Sequence, residues 1–401
     1  MSKVYVLGAK RTPIGAFLGS LSSMHPAHYG AQVLKTIIEE TKINVNDIHE
    51  VQVGNILPAG LGQGIARQVS IHAGIPVTIP AYTVNMVCGS GMKTVMNAYG
   101  LIASNQADLM VAGGVESMSK APYILPDRMR SGHKMGGFKV LDHMIDDALM
   151  DPFNDIHMGI TAENIVERYG IRREDQDALA AESQRRAAAA QDAGHFGKEI
   201  VPITVPSRKG DIVFEADEYI NRTTNYEKLS TLRPAFKKNG SVTAGNSSGI
   251  NDGASFMILA SEAYVKEHNL TPLAEVVAVG QGGVEPTLMG LGPTPAIKQA
   301  LSRASLTLKD MEILELNEAF AAQALGVMEE LQRDYGVDLE SLKKITNIYG
   351  GAIALGHPVG ASGNRILVTL LHALHTEQKN LGLASLCIGG GMGTAVILRS
   401  V

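Results

Sequence analysis

The chain has 401 residues, 45% of them apolar and 19% charged, with 43 glycines, no tryptophan and only two cysteines. That length exceeds one ordinary domain and suggests two or three lobes, and the composition reads as compact α/β structure with tight turns rather than a disordered chain. A net charge of −5 gives no overall attraction for nucleic acid or an anionic membrane surface, and no apolar run approaches the roughly 18 residues that span a bilayer.

Residues 3–8 alternate as a short strand, and Arg11-Thr12-Pro13-Ile14-Gly15 turns into a Gly/Ser-rich loop. The spacing of Val33, Leu34, Ile37 and Ile38 predicts a helix from Ala27 to Thr41. Residues 49–55 read as the next strand and 62–74 as the next helix. At 84–100 an apolar strand meets Cys88-Gly89-Ser90-Gly91 and then a helix-forming run. Residues 108–114 form a buried strand ending in glycines, so this third of the chain is βαβ material. No signal or transit peptide is recognisable and no disulfide framework is visible. Reduced thiols and a cytoplasmic location are expected.

The C-terminal third repeats this order. His49–Asn55 is answered by Met311–Asn317, Gly89-Ser90-Gly91 by Ala361-Ser362-Gly363, and Val111–Gly114 by Cys387–Gly390. Two halves of one topology, each with a sheet face to bury, predict pseudo-symmetric layers. Between them, residues 119–250 carry prolines at 122, 126, 152, 202, 206 and 234, many charges, and helices expected at 161–169 and 174–192. Scattered basic residues there, Arg208, Lys209, Arg222, Lys228, Arg233, Lys237 and Lys238, suit either a solvated face or a phosphate-bearing ligand.

Cys88 sits where a glycine-rich turn starts a helix, so outward-pointing N–H groups favour an anion there and predict a lowered thiol pKa. A buried cysteine is more often an inert small hydrophobe. His357 lies in a glycine-rich loop before another helix, which the repeat places opposite the Cys88 turn, and this makes a Cys–His pair. The loop's glycines do not fit a dinucleotide-binding frame. Cys387 ends a strand predicted at Leu383–Ile388, and a glycine N–H beside it has the position of an oxyanion donor. No clustered spacing suggests a metal site.

The motifs Asn85-Met86-Val87-Cys88-Gly89-Ser90-Gly91, Asn317-Glu318-Ala319-Phe320, Gly356-His357-Pro358 and Cys387-Ile388-Gly389-Gly390-Gly391-Met392-Gly393 resemble those of thiolases, through essentially the whole chain. His157-Met158-Gly159 and Ala244-Gly245-Asn246-Ser247-Ser248-Gly249 resemble the short-chain biosynthetic branch, the acetyl-CoA C-acetyltransferases. The resemblance implies an α/β fold of duplicated βαβ halves packed as α-β-α-β-α layers, with a large inserted loop domain. Its parts would be the halves 1–118 and 270–401, a loop domain 119–250 binding the coenzyme A moiety, and a return to the core at 251–269. The implied reaction is the reversible Claisen condensation of two acetyl-CoA to acetoacetyl-CoA and coenzyme A, with thioesters as substrates, no cofactor, and a homotetramer.

Carried over by position, the resemblance makes Cys88 the acylated nucleophile, His357 its base and Cys387 the second acid/base. Asn317, through a water, and His357 would hold the enolate oxygen, and the N–H groups of Cys88 and Gly389 the acyl oxygen. Thioester binding would fall to His157, Met158, Phe236, Ala244, Ser248, Met289, Ala319 and Phe320, with Arg222 stacking on adenine. The stretch 331–346 is longer than in short-chain members and is expected to form a surface excursion. Alternatives are a broad-specificity degradative 3-ketoacyl-CoA thiolase, a ketoacyl synthase, against which Cys387 argues, and a non-catalytic coenzyme-A- or lipid-binding protein.

Overall fold

Two copies of one strand arrangement lie edge to edge in a single hydrogen-bonded path. The computed structural model describes residues 2–401. The first copy contains β1 (Val4–Arg11), α1 (Pro26–Thr41), β2 (Val51–Gly54), α2 (Ile65–His72), β3 (Ala81–Val84), α3 (Ser90–Ala103) and β4 (Leu109–Ser117). An insertion carrying α4 (Met158–Tyr169) and α5 (Arg173–Asp192) follows, and β5 (Asn251–Ser261) then completes the first sheet. The second copy contains β6 (Ala274–Gly283), α6 (Pro293–Ala304), β7 (Ile313–Leu316), α7 (Ala321–Tyr335), α8 (Leu339–Ile345), α9 (Val359–Thr376), β8 (Leu381–Ile388) and β9 (Met392–Ser400).

The first sheet runs β1-β5-β4-β2-β3, with β5 antiparallel to both neighbours and β4, β2 and β3 parallel. The second runs β6-β9-β8-β7 with the same directions, and a parallel bridge from Leu314 to Thr346 stands where the fifth strand would. The copies join where β1 meets β6 at Tyr5–Glu275 and Val6–Ala274. One apolar cluster, including Val95, Met110, Met257, Leu367, Leu386 and Val396, packs α3 and α9 between the sheets. A second buries α1 and α2 on the far face of the first sheet, and a third buries α6, α7 and α8 on the far face of the second. The order of layers is therefore α-β-α-β-α. α9 lies in the middle layer and is buried almost all round from Val359 to Leu374, as a helix without a polar face must be.

The order of the repeat agrees with the sequence, but its strand register does not. Val51 and Val111 pair and lie together beneath α1 and α2, while Leu314 and Leu383 pair and lie together beneath α6 and α7. Leu314 is thus the counterpart of Val51, one residue beyond the Ile313 that the sequence matching supplied. Likewise Leu383, not Cys387, is the counterpart of Val111. Ile313 faces the middle layer instead, because successive strand residues point to opposite faces. The stretch 331–346 lies at the surface, as expected, and is helical for most of its length: it holds the end of α7 and then α8, whose Leu342 is buried against the outer cluster. Among the described residues, no helix is long and apolar enough to cross a membrane.

Candidate active site

Cys88 occupies a tight turn between β3 and α3. Val87 has φ of 45°, a left-handed conformation that a β-branched residue adopts only under constraint. The constraint is local. Asn85 Oδ1 accepts the Val87 N–H at 3.1 Å, and the Ser90 hydroxyl accepts the Met86 N–H at 2.8 Å while donating to the Val87 carbonyl at 2.6 Å. Gly89 lets the second copy come close: a Cβ there would lie 2.3 Å from Ile388 Cδ1. Ile388 precedes Gly389, and the backbone N–H groups of Gly389 and of Cys88 itself both act to lower the Cys88 thiol pKa.

The turn does not lower the thiol pKa as its helix N-terminus led us to expect. Burial pushes Cys88 up to about 11, outweighing the two N–H groups, with the Glu116 carboxyl adding a smaller push. His357 moves the other way. Burial, reinforced by the positive charge of Arg365, holds it down at about 4. Thiol and imidazole are therefore both neutral at pH 7. His357 stands just ahead of α9, its backbone N–H donating to Asn251 Oδ1 at 2.9 Å and its Nδ1 lying 2.6 Å from Ser362 Oγ. The starts of α3 and α9 adjoin, since Val359 belongs to the cluster against which Val87 and Cys88 pack.

Cys387 ends β8 as a free, buried thiol, held well above the ordinary thiol value by burial, with the neighbouring Cys88 sulfur adding to the shift. Asn317 follows β7, and its N–H donates to the Ser385 carbonyl at 3.0 Å, which aligns it beside β8. Its side-chain nitrogen and oxygen are both buried without a partner among the described residues. An unpaired buried amide costs about 1–3 kcal/mol, so this group suits a water or a ligand oxygen.

Two buried carboxyls that the sequence reading did not assign hold these loops. Glu116 accepts from Asn55 Nδ2, the N–H groups of Ile56 and Leu57, and the N–H of Gly360 at the start of α9, at 2.9 to 3.2 Å. It ties the helix behind His357 to the first sheet. Glu318 accepts from Ser183 Oγ at 2.6 Å and Asn347 Nδ2 at 2.8 Å. A lone glutamate directly after the run Val111-Ala112-Gly113-Gly114-Val115, which has no polar side chain, was the available signal for Glu116.

Met158, Met289, Ala319, Phe320 and Cys387 form one buried apolar cluster, with Phe236 packed against it. Phe236 stacks on His157 with centroids 4.8 Å apart and meets Phe320 edge-on at 6.0 Å. His157 caps α4, its Nδ1 accepting the Gly159 N–H at 3.0 Å, so its proton is on Nε2. The Ser248 N–H donates to the Ala319 carbonyl at 2.9 Å, and Ala244 lines a cavity with Asn221 and Thr224. Arg222 is not brought into this group: its guanidinium is paired on the surface with Asp192 at 2.8 Å and with Gln191 at 2.7 Å. Among the described residues, no set of three His, Cys, Asp or Glu side chains could hold a metal ion.

Chemically, a thiol beside two N–H donors, a neutral imidazole, a second thiol and an unpaired amide suits acyl transfer followed by proton removal next to a carbonyl. The chain belongs to the thiolase family: the model of the thiolase N-terminal domain matches residues 4–263, and that of the C-terminal domain matches residues 270–400. It is similar to an acetyl-CoA acetyltransferase of Chromobacterium violaceum, 51% identical over 398 residues and 99% of both chains. Among solved structures it is similar to the Bacillus anthracis acetyl-CoA acetyltransferase, with a TM-score of 0.96 and 40% identity over 100% of this chain and 99% of that one. The human mitochondrial 3-ketoacyl-CoA thiolase follows at a TM-score of 0.93 and 41% identity, with the same coverage.

Proposed function

We propose that the chain is an acyltransferase that condenses two acetyl-CoA to acetoacetyl-CoA and coenzyme A, reversibly, through an acetyl-Cys88 intermediate. The observation that carries this reading is the close approach of the Cys387–Gly389 strand end to the Cys88 turn, where a Cβ on Gly89 would lie 2.3 Å from Ile388 Cδ1. His357 takes the Cys88 proton as the sulfur attacks the acetyl carbonyl. The carbonyl oxygen gathers charge between the two N–H donors, each worth about 3–4 kcal/mol to such a transition state. The bond to coenzyme A breaks, and Cys387 gives its proton to the departing sulfur.

Cys387, now a thiolate, removes an α-proton from the second acetyl-CoA. The high pKa that burial gives this thiol makes the thiolate a strong base. Asn317, through a water, and His357 stabilise the enolate oxygen. The enolate carbon attacks acetyl-Cys88, the Cys88 sulfur leaves, and His357 returns the proton. No cofactor enters this cycle. The thioester lies along His157, Met158, Phe236, Ala244, Ser248, Met289, Ala319 and Phe320. Arg222 reaches adenine only by giving up Asp192. A homotetramer in the cytoplasm completes the reading.

Thiolysis tests it. The apolar wall of Met158, Met289 and the Phe236–Phe320 contact beside Cys387 supports a short acyl chain. With coenzyme A as co-substrate, kcat/KM for acetoacetyl-CoA is expected to exceed that for 3-ketoacyl-CoA of six to ten carbons. Equal or better use of the longer chains would make the protein a broad-specificity degradative thiolase instead.

A further inference from the structure

We propose that Ser362 is a positioning residue that fixes the tautomer of His357, placing the imidazole proton on Nδ1 and leaving Nε2 as the only basic nitrogen. The inference rests on the reading of His357 as the base and adds what makes it one. A serine hydroxyl has a single proton, and the Pro358 carbonyl, one turn back along α9 and 2.9 Å from Ser362 Oγ, can only accept, which directs that proton to it. The Ser362 oxygen therefore meets His357 Nδ1, 2.6 Å away, as an acceptor, and a contact that short requires a proton on Nδ1. The other bond of this residue, from its backbone N–H to Asn251 Oδ1, fixes the loop and leaves the ring nitrogens alone. Among the described residues Nε2 has no protein partner, and it is not sealed in, so its lone pair is available to a proton from the site.

The polarity of the partner matters as much as its place. A carboxylate on Nδ1 would stabilise the imidazolium and hold the ring protonated at rest. A hydroxyl directs the tautomer without supplying charge, and so agrees with a ring that burial and Arg365 keep neutral. Ser362 is itself fully buried in the first turn of α9, where water cannot replace it. Removing the hydroxyl leaves Nδ1–H unpaired, and the ring regains its second tautomer, in which Nε2 carries the proton and cannot act as base.

Nitrogen-15 NMR of imidazole-labelled protein reads this without any turnover, with the His357 signals identified by their loss in His357→Asn. We expect a protonated Nδ1 and an unprotonated Nε2 at pH 7 in the wild type, and a mixed or reversed pattern in Ser362→Ala. Acetylation of Cys88 by acetyl-CoA, followed by rapid quench and mass spectrometry, is expected to slow at least tenfold in Ser362→Ala and to recover in Ser362→Thr, which keeps the hydroxyl. A proton on Nε2 in the wild type overturns the proposal whether or not either variant folds. So does a folded Ser362→Ala that acetylates at the wild-type rate. A Nδ1-protonated ring in a protein that never acetylates Cys88 would instead sink the functional reading and leave the tautomer assignment standing.

Discussion

Gly91 and Gly363 occupy matching places on the two sides of the α3–α9 crossing. A Cβ on Gly91 would lie 2.9 Å from the backbone nitrogen of Asn364, and one on Gly363 would lie 2.5 Å from that of Met92. The contact is reciprocal, so the helices that follow Cys88 and His357 cross backbone to backbone about a local two-fold axis. This closeness lets the two helix starts share one site, since any side chain at either glycine would push apart the helices and the loops that precede them.

The first expectation follows directly. Gly91→Ala and Gly363→Ala each place a methyl against backbone that cannot rotate away, and should lower stability by about 2–3 kcal/mol with a loss of activity beyond the unfolded fraction. Gly100→Ala is the control on the same helix. It is exposed, has helical φ, and its Cβ would meet nothing within 4 Å. That change should raise stability by about 0.5–1 kcal/mol and leave activity alone. Chemical denaturation of the three variants checks the signs, and equal effects at all three would refute the crossing as the cause.

Much of this was legible beforehand, because small residues in a fixed order mark where backbones approach. The pairing of Gly91 with Gly363 was readable from Gly89-Ser90-Gly91 and Ala361-Ser362-Gly363 alone. The strand matching was not, because Ile313 and Leu314 are equally apolar and the chain does not state which faces the middle layer. Burial at Cys88 was invisible too. A helix N-terminus argues for a thiolate, but the second copy that seals the turn, through Ile388 against Gly89, comes from 300 residues away. Arg222 matched a family position in sequence, whereas its partner Asp192 is fixed by where α5 ends.

The reversed pKa pair sets the pH dependence. In the proposed cycle acylation needs His357 unprotonated, which holds above about 4, and draws on the thiol form of Cys88, which persists to about 11. The rate of Cys88 acetylation under kcat/KM conditions should therefore stay level from pH 6 to 9. A thiol with an ordinary pKa attacking as free thiolate would instead give a limb near 8.5 with tenfold change per pH unit below it. Rapid-quench acetylation across that range decides, and a rising limb below pH 9 would mean that Cys88 does not depend on a neutral base.

Glu116 links stability to pH. Burial raises its carboxyl from the ordinary 4.5 to about 7, against the pull of the N–H groups it accepts. The folded state thus favours the protonated form, so this stabilisation is complete below pH 4.5 and is lost as pH rises through 7. Wild type should lose on the order of 1–3 kcal/mol more than Glu116→Gln between pH 5 and 8. The measurement is the slope of urea-unfolding free energy against pH, and parallel slopes would contradict it. Glu116→Ala removes the acceptor of four buried N–H donors and should be far less stable at every pH, by about 3 kcal/mol or more.

Cys387 allows function and packing to be told apart. As the second acid/base it must take the α-proton of the second acetyl-CoA, whereas formation of acetyl-Cys88 needs it only to protonate the leaving sulfur. That sulfur leaves readily as thiolate. Cys387→Ser should therefore still acetylate Cys88, seen as an acetyl group on the Cys88 peptide by mass spectrometry, and Cys88→Ala should not be labelled at all. The serine hydroxyl is a far weaker acid than the thiol, so at matched folded fraction the exchange of acetyl-CoA methyl protons with deuterated solvent should fall by a factor of 100 or more. As a packing residue alone, Cys387 sits in an apolar cluster with Met158, Met289 and Phe320, and the same substitution would cost about 1–3 kcal/mol of stability by burying a hydroxyl without a partner, leaving exchange untouched. Wild-type exchange in a folded Cys387→Ser protein would thus assign the cysteine to packing. Acetylation that survives while exchange collapses assigns it to the proton.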